Sequence, residues 1–281
     1  MLLREVSYAR PGTVEEAIEL LAQNDGARAL AGGQTLLNVM KQRAASPDVL
    51  VDLGRLDELR TISVSGAALE IGAMTTLTSL IRSSEVDVTR PILAEVAATV
   101  ADVQVRNRGT LGGNICVNDP TNHFPPLLVA LDASMTIAGV GGERVVSAEE
   151  FFVGVFETTV QEGELLTKIT VPAAGKGTGD GMSGVTLGAH GTYIANAAAS
   201  VVDGTWRIAL GCVGAVPVRA TSAEKAFSGD VDDASARAAA KGVGATVDPP
   251  SDVHASAEYR RSLAETSIVR AVLQANERAR G

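Results

Sequence analysis

Cysteine is nearly absent from this sequence of 281 residues. Cys116 and Cys212 are too few and too far apart for a disulfide framework or for an iron–sulfur cluster held by this chain alone. Long apolar runs are missing as well: no stretch approaches the roughly 18 continuous apolar residues of a membrane span, and the first residues lack the apolar core of a signal sequence. We therefore expect a cytoplasmic protein with no membrane span.

Positive charge is also scarce. Lys and Arg number 24 against 33 Asp and Glu, for a formal net charge of -9, and the longest basic cluster is the pair Arg106 and Arg108. Nucleic-acid binding depends on basic side chains that neutralise phosphates, so we do not expect it. The 46% of apolar residues is enough for a substantial core, and the length suits one large domain or roughly two to three smaller ones.

Short apolar strands alternate with helical patterns in the first part of the chain. TVEEAIELLAQN, from Thr13, has apolar residues spaced for one helix face, and Thr13 followed by Glu16 is typical of a capping box. The next segment predicts a strand over 27–30, a turn at the first glycine pair and a helix from about Thr35. Further strands are predicted in VLVDL (49–53), ALEIG (68–72) and MTIAG (135–139), and further helices in TLTSLIRSS (76–84), PILAEVAATVAD (91–102) and PPLLVALDA (125–133).

The last hundred or so residues have a different pattern from the alternating strands and helices of the first part of the chain. A glycine-rich stretch over 173–184 predicts a loop or linker. After it, two strand-like runs meet at Asp203-Gly204, a strong hairpin signal, and helical patterns follow over 234–241 and 257–280. Hairpin plus helices is an α+β pattern. We place a domain boundary in the glycine-rich stretch, between residues 175 and 176.

Two glycine pairs are candidates for ligand binding. Gly32-Gly33 precedes Gln34 and Thr35, and Gly112-Gly113 lies between Thr110 and Asn114. Glycine permits positive φ and close approach of a ligand, and successive free N–H groups make an anion site, so such a pair suits a pyrophosphate. The alternative is an ordinary tight turn at each place. Neither pair has the spacing of the P-loop or of G-x-G-x-x-G.

The two segments that contain these pairs resemble a known family. LAGGQTLLNVMKQR (30–43) and QVRNRGTLGGNICVNDPTNHFPPLLVALDA (104–133) are similar to the two flavin-binding signatures in the FAD subunits of molybdenum hydroxylases, which include carbon monoxide and xanthine dehydrogenases. VDL, IGAMTT, PILAEVA and GELLTKITVP extend the resemblance over nearly all of the first 172 residues. It implies an α+β fold, with a two-part FAD-binding domain of the vanillyl-alcohol-oxidase/PCMH type (1–55 and 56–175) followed by a small α+β domain (176–281).

The resemblance also implies which residues contact FAD. The first signature corresponds to Ala31, Gly32, Gly33, Gln34, Thr35 and Leu36, and the second to Thr110, Gly113, Asn114 and Ile115. Asp119 lies in the turn that follows the second signature. Leu165 or Leu166 matches an apolar residue near the flavin, and Tyr193 matches an aromatic residue whose ring can approach it.

Some positions depart from the family pattern. Where relatives commonly carry an acidic residue that is expected to hydrogen-bond the cofactor, this chain has His123. His123 either replaces that contact with the cofactor, loses it or faces solvent. Thr192 replaces an aspartate before Tyr193, and the preceding stretch GVTLGAHG lacks the family's basic residues. His190 in that stretch either reaches the flavin edge or is a polar loop residue.

If the resemblance holds throughout, this subunit binds FAD non-covalently and passes electrons onward. The partners would be a large subunit with the molybdenum cofactor and a small subunit with [2Fe-2S] clusters, in a dimer of heterotrimers, and FAD would deliver electrons to an external acceptor. No side chain here would then be a catalytic acid or base, and no metal ligand is expected. A stand-alone flavoenzyme, with His190, His123 or Tyr193 near the reacting atom, and a flavin-free scaffold are the alternatives.

Overall fold

The computed structural model describes residues 3–188, 191–227 and 231–281. Within them the helices are α1 (Val14–Gln23), α2 (Leu36–Lys41), α3 (Leu77–Arg82), α4 (Ser84–Thr89), α5 (Ile92–Thr99), α6 (Val103–Arg108), α7 (Leu111–Val117), α8 (Phe124–Ala130), α9 (Ala148–Phe151), α10 (Thr221–Ala226), α11 (Asp233–Ala240) and α12 (Ala257–Arg280).

The strands are β1 (Ser7–Ala9), β2 (Ala27–Leu30), β3 (Val49–Asp52), β4 (Ile62–Ser65), β5 (Ala68–Gly72), β6 (Ser134–Gly139), β7 (Gly142–Ser147), β8 (Phe152–Gly154), β9 (Glu157–Thr158), β10 (Leu165–Pro172), β11 (Gly179–Thr186), β12 (Tyr193–Val202), β13 (Thr205–Gly211) and β14 (Val218–Arg219). Each element predicted from the sequence is present among them. Since both helices and strands build the described part of the chain, the mixed fold expected from the sequence is confirmed.

A small parallel sheet, in the order β1-β3-β2, opens the chain. Helix α1 covers it with Val14, Ala17, Ile18 and Leu21, whose spacing places them on one face. Thr13 caps this helix, as the sequence predicts, by accepting the N–H of Glu16. The predicted capping box is only half correct, because the Glu16 carboxylate accepts the N–H of Gly12 instead of that of Thr13.

A five-stranded antiparallel sheet, in the order β4-β5-β10-β6-β7, forms the middle of the molecule. Helices α3, α5, α7 and α8 contribute to its core together with apolar side chains of β5, β6 and β10. Strand β10 is buried on both faces. Leu166 joins this core, whereas Leu165 points to the other side and joins the core of the first sheet. The two cores therefore meet along β10.

The third sheet is antiparallel, in the order β11-β12-β13-β14, with helix α12 packed across β11 and β12. Asp203 and Gly204 both have positive φ at the turn between β12 and β13, which confirms the predicted hairpin. The loop predicted over 173–184 is wrong from residue 179 onward, where β11 begins. Glycine is needed there for packing, since a Cβ on Gly179 would lie 1.9 Å from the Ala275 carbonyl oxygen of α12.

A buried ion pair joins the middle sheet's helices to the third sheet. Arg90, which follows α4, is 1% exposed and lies 2.9 Å from the Asp180 carboxylate in β11. Arg90 also donates to the Ser200 hydroxyl at 3.1 Å. The three sheets lie in the three predicted segments, while the exact boundaries stay a prediction. Among the described residues no helix has both the length and the apolar character needed to cross a membrane.

Candidate functional site

The first glycine segment leaves backbone donors free. It joins β2 to α2, and Gly33 has a φ of +73°, so the chain turns there as only glycine does readily. Within the described part of the chain, no acceptor is found for the N–H groups of Gly33, Gln34 and Thr35. The hydroxyl of Thr35 is exposed and does not cap α2. Three successive free donors after a positive φ form a concave site for an anion.

Gly32 has a different role from Gly33. A Cβ on Gly32 would lie 2.1 Å from the carbonyl oxygen of Arg108 and 2.9 Å from the Cα of Gly109, at the start of the second glycine segment. The backbones of the two segments are thus in direct contact, as the Ala31 side chain also shows by lying 3.5 Å from the Cβ position of Gly113. The structure brings together the two segments that the sequence singles out, although about 75 residues separate them.

The second glycine pair is used for packing. A Cβ on Gly112 would lie 2.6 Å from the carbonyl oxygen of Ala73. The N–H of Gly112 donates to that same oxygen at 2.9 Å, and the N–H of Gly113 donates to the Thr110 hydroxyl at 3.0 Å. Thr110 is buried and caps α7 in this way. The expectation of free N–H groups therefore holds for the first pair and is wrong for the second, because the carbonyl of Ala73 and the hydroxyl of Thr110 accept its two N–H groups.

The second segment offers an acceptor instead. The side-chain oxygen of Asn114 is buried without a hydrogen-bond partner among the described residues, and so is the hydroxyl of the nearby Thr75, whose carbonyl accepts the Leu111 N–H. A buried acceptor without a donor is costly, so it fits a ligand that brings hydroxyl or N–H groups. Free donors in one segment and an unpaired acceptor in the adjoining one fit a molecule that combines phosphates with sugar hydroxyls, as FAD does.

A turn after α7 orders the next part of the site. Asp119 accepts the N–H and the hydroxyl of Thr121 at 2.9 and 2.7 Å, and Asn122 donates to the Asn114 carbonyl at 2.9 Å. Asn118 precedes this turn with a left-handed backbone and is 1% exposed. Its amide donates to the carbonyls of Gly154 and Glu157 in the β8–β9 hairpin. Asn118 is not among the residues predicted from the sequence, where the available signal was an asparagine directly after a helix.

His123 and Tyr193 form a pair at the first residue of strand β12. Their ring centroids are 4.4 Å apart with an interplanar angle of 51°. His123 is only 6% exposed, so the possibility that it faces solvent is ruled out. Burial lowers the pKa of His123 to about 4, which keeps the imidazole neutral at physiological pH. Burial likewise raises the pKa of Tyr193, so its phenol stays protonated.

The remaining predicted residues lie in the core or outside this region. Ile115 is fully buried, and Leu165 and Leu166 pack as described above. Burial raises the pKa values of Cys116 and Cys212 to about 12, in agreement with unreactive thiols. His190 lies outside the described residues. No cluster of metal-ligating side chains is found in the ranges 3–188, 191–227 and 231–281.

Comparison with known protein families gives two matches. The family described as "FAD binding domain in molybdopterin dehydrogenase" matches residues 4–174. The family described as "CO dehydrogenase flavoprotein C-terminal domain" matches residues 190–275. The first match contains both glycine segments, and the second contains strand β12 with Tyr193.

Individual relatives extend over the whole chain. The carbon monoxide dehydrogenase medium chain of Hydrogenophaga pseudoflava is 36% identical, with 97% of each chain covered. The nicotine 6-hydroxylase medium subunit of Paenarthrobacter nicotinovorans is 32% identical, covering 99% of this chain and all of the relative. Among solved structures, carbon monoxide dehydrogenase from Hydrogenophaga pseudoflava superposes with a TM-score of 0.95 at 38% identity, and quinoline 2-oxidoreductase from Pseudomonas putida 86 with 0.94 at 35%, each with 99% of both chains covered.

Proposed function

This chain belongs to the family of FAD-binding medium subunits of molybdenum hydroxylases, and from that membership we propose that it passes electrons from partner subunits through FAD to an external acceptor. When bound, FAD accepts and releases electrons singly or in pairs. The work of this chain is to bind the cofactor, orient it and set its surroundings.

The first glycine segment is proposed to hold the pyrophosphate. The free N–H groups of Gly33, Gln34 and Thr35 point to an anion, and the Thr35 hydroxyl adds a further donor. In the second segment, Asn114 is proposed to accept a hydrogen bond from the cofactor, because its oxygen has no other partner among the described residues. Thr110 and Gly113 act by shaping α7. Ala31, Leu36, Asp119, His123 and Tyr193 complete the proposed lining, and Ile115, Leu165 and Leu166 are proposed to support it from the core.

The proposed partners are inferred from the names of the relatives and from the metal clusters that this chain cannot ligate by itself. Its relatives are medium chains or subunits of larger enzymes, and this chain covers nearly all of their length. With two cysteines it cannot ligate [2Fe-2S] clusters alone. We propose a large subunit with the molybdenum cofactor and a small iron–sulfur subunit as partners, in a dimer of heterotrimers. We also propose 1–55, 56–175 and 176–281 as the boundaries of the three parts.

The free donors of the first glycine segment carry this proposal, and Thr35→Val tests it. This exposed hydroxyl makes no intramolecular cap, so its loss should leave the fold intact. We expect the Kd for FAD to rise about three- to tenfold, the equivalent of one lost hydrogen bond, in a titration of the full chain followed by flavin fluorescence.

The matched control is Thr205→Val. Thr205 is exposed, begins β13 and pairs with Val202, at the end of β12 opposite to Tyr193. It should bind FAD as the wild type does. A chain that takes up no FAD, or two variants with the same affinity, would contradict the proposed cofactor site. Gly32 is unsuited to this test, because any side chain there collides with the backbone of Arg108.

A further inference from the structure

Strand β12 contains an irregularity beside Tyr193. Val185 of β11 pairs with Ala195, and the next residue, Thr186, pairs with Tyr193, so Ile194 has no partner on β11. An extra residue of this kind is a β-bulge, which bends the strand and re-aims the neighbouring side chain. In a regular strand, side chains three positions apart, such as those of Tyr193 and Asn196, would point to opposite faces.

The bulge places the Tyr193 ring on the face that meets α8. A Cβ on Gly184 of β11 would lie 2.6 Å from the Asn196 Cβ and 2.7 Å from the Tyr193 ring, so both side chains lie on the same side of the sheet. The Cβ position of Gly211, which pairs with Asn196 on the other side, is 2.9 Å from Pro126 of α8. Tyr193 thereby reaches His123 at the start of α8.

A buried arginine from the far end of the sequence holds the bulge. Arg260 lies in α12, is 5% exposed, and donates to the carbonyl oxygen of Ile194 at 2.6 Å. Its other terminal nitrogen lies 2.6 Å from the Asp252 carboxylate, which fixes the guanidinium. The carbonyl of the extra residue therefore has a charged donor that orders the backbone next to Tyr193.

We propose that Arg260 is a positioning residue that fixes Tyr193 at the flavin. The inference rests on the proposed function, since it takes Tyr193 to contact the bound cofactor. Arg260 acts by binding the carbonyl of Ile194, and Gly184 acts by leaving room for the Tyr193 ring and for the neighbouring Ala195 carbonyl and Asn196 Cβ. Substitution of Arg260 or of Gly184 should therefore displace Tyr193, and each displacement should weaken the contact between its ring and the flavin.

The test compares four variants of the full chain: Arg260→Met, Gly184→Ala, Tyr193→Ala and the matched control Arg278→Met. Arg278 lies on the same helix and also binds a carbonyl of the third sheet, that of Asp180, and a carboxylate, that of Glu95, but at a distance from Tyr193. The readouts are the Kd for FAD and the fluorescence of the bound flavin, which an adjacent tyrosine quenches. Near-ultraviolet circular dichroism reports whether each variant folds.

We expect Arg260→Met and Gly184→Ala to raise the Kd about three- to tenfold, the range of one lost aromatic contact, and to brighten the bound flavin, while Arg278→Met does neither. In a Tyr193→Ala background, Arg260→Met should have no further effect on either readout. An Arg260→Met variant that behaves as Arg278→Met does, or an effect that persists without Tyr193, would overturn the proposal. If Arg260→Met does not fold, Arg260→Lys takes its place in the same comparisons, because one ammonium nitrogen replaces the two nitrogens that bind the Ile194 carbonyl and the Asp252 carboxylate.

Failure of the proposed function gives a different result. If the wild-type chain does not bind FAD, the proposed cofactor site is wrong. If it binds FAD but Tyr193→Ala changes neither affinity nor fluorescence, then Tyr193 does not contact the flavin. The positioning role proposed for Arg260 is then refuted as well. If Tyr193→Ala changes both readouts and the Arg260 and Gly184 variants change neither, the cofactor site stands and only the positioning role is refuted.

Discussion

The buried imidazole of His123 makes the stability of this chain depend on pH. Its pKa lies near 4 in the folded state, against an ordinary value of 6.5, because burial disfavours the charged ring. Between these two values the unfolded chain binds a proton that the folded chain does not, so acid favours unfolding. From these pKa values, lowering the pH from about 7 to about 5 should cost the folded state about 2 kcal/mol.

The assay is urea denaturation of the full chain at both pH values, with the free energy of unfolding obtained by linear extrapolation. His123→Phe keeps an aromatic ring against Tyr193 and removes the titrating group, so this variant should lose about 2 kcal/mol less than the wild type over the same interval. His254→Gln is the control, because His254 is exposed. Equal losses in wild type and His123→Phe would refute the assignment of the effect to His123.

Three further predictions concern packing and reactivity. Arg90→Met should destabilise the chain by about 3–5 kcal/mol in the same assay, because it leaves the Asp180 carboxylate buried without its partner, and adding Asp180→Leu should recover most of that loss. Gly112→Ala should lower the free energy of unfolding by about 1–3 kcal/mol, since the new methyl group collides with the Ala73 carbonyl, and a variant as stable as wild type would contradict the packing role. With pKa values of about 12, Cys116 and Cys212 should resist iodoacetamide at neutral pH in the native chain and react after unfolding, as mass spectrometry would show.

Local signals in the sequence were sufficient for most elements. The apolar spacing after Thr13 identifies α1 and its cap, and Asp203-Gly204 identifies the β12–β13 hairpin. These features depend on residues a few positions apart, so the sequence contains all the information needed. The glycine-rich stretch from residue 179 was misjudged for the opposite reason. Gly179 and Gly181 serve contacts with α12, which lies about 90 positions or more further along the chain.

The candidate site likewise combines features that are recognisable in the sequence with features that depend on contacts between remote segments. The two glycine pairs and Tyr193 are recognisable in the sequence, through glycine chemistry and through the family resemblance, which the comparisons confirm. The sequence did not distinguish the roles of the two pairs. Gly33 frees backbone donors, whereas Gly112 makes room for Ala73, and only the fold shows which N–H groups are already bonded.

The sequence by itself determined the family, most helices and strands, and the segments that form the candidate site. Tertiary structure alone decided that Arg260 binds the carbonyl of Ile194, that His123 is buried against Tyr193, and that the N–H of Gly112 is bonded to the carbonyl of Ala73. The physical reason is distance along the chain. Burial and hydrogen bonding between remote segments set the pKa of a histidine, the direction of a tyrosine and the availability of an N–H group, and no local pattern encodes them.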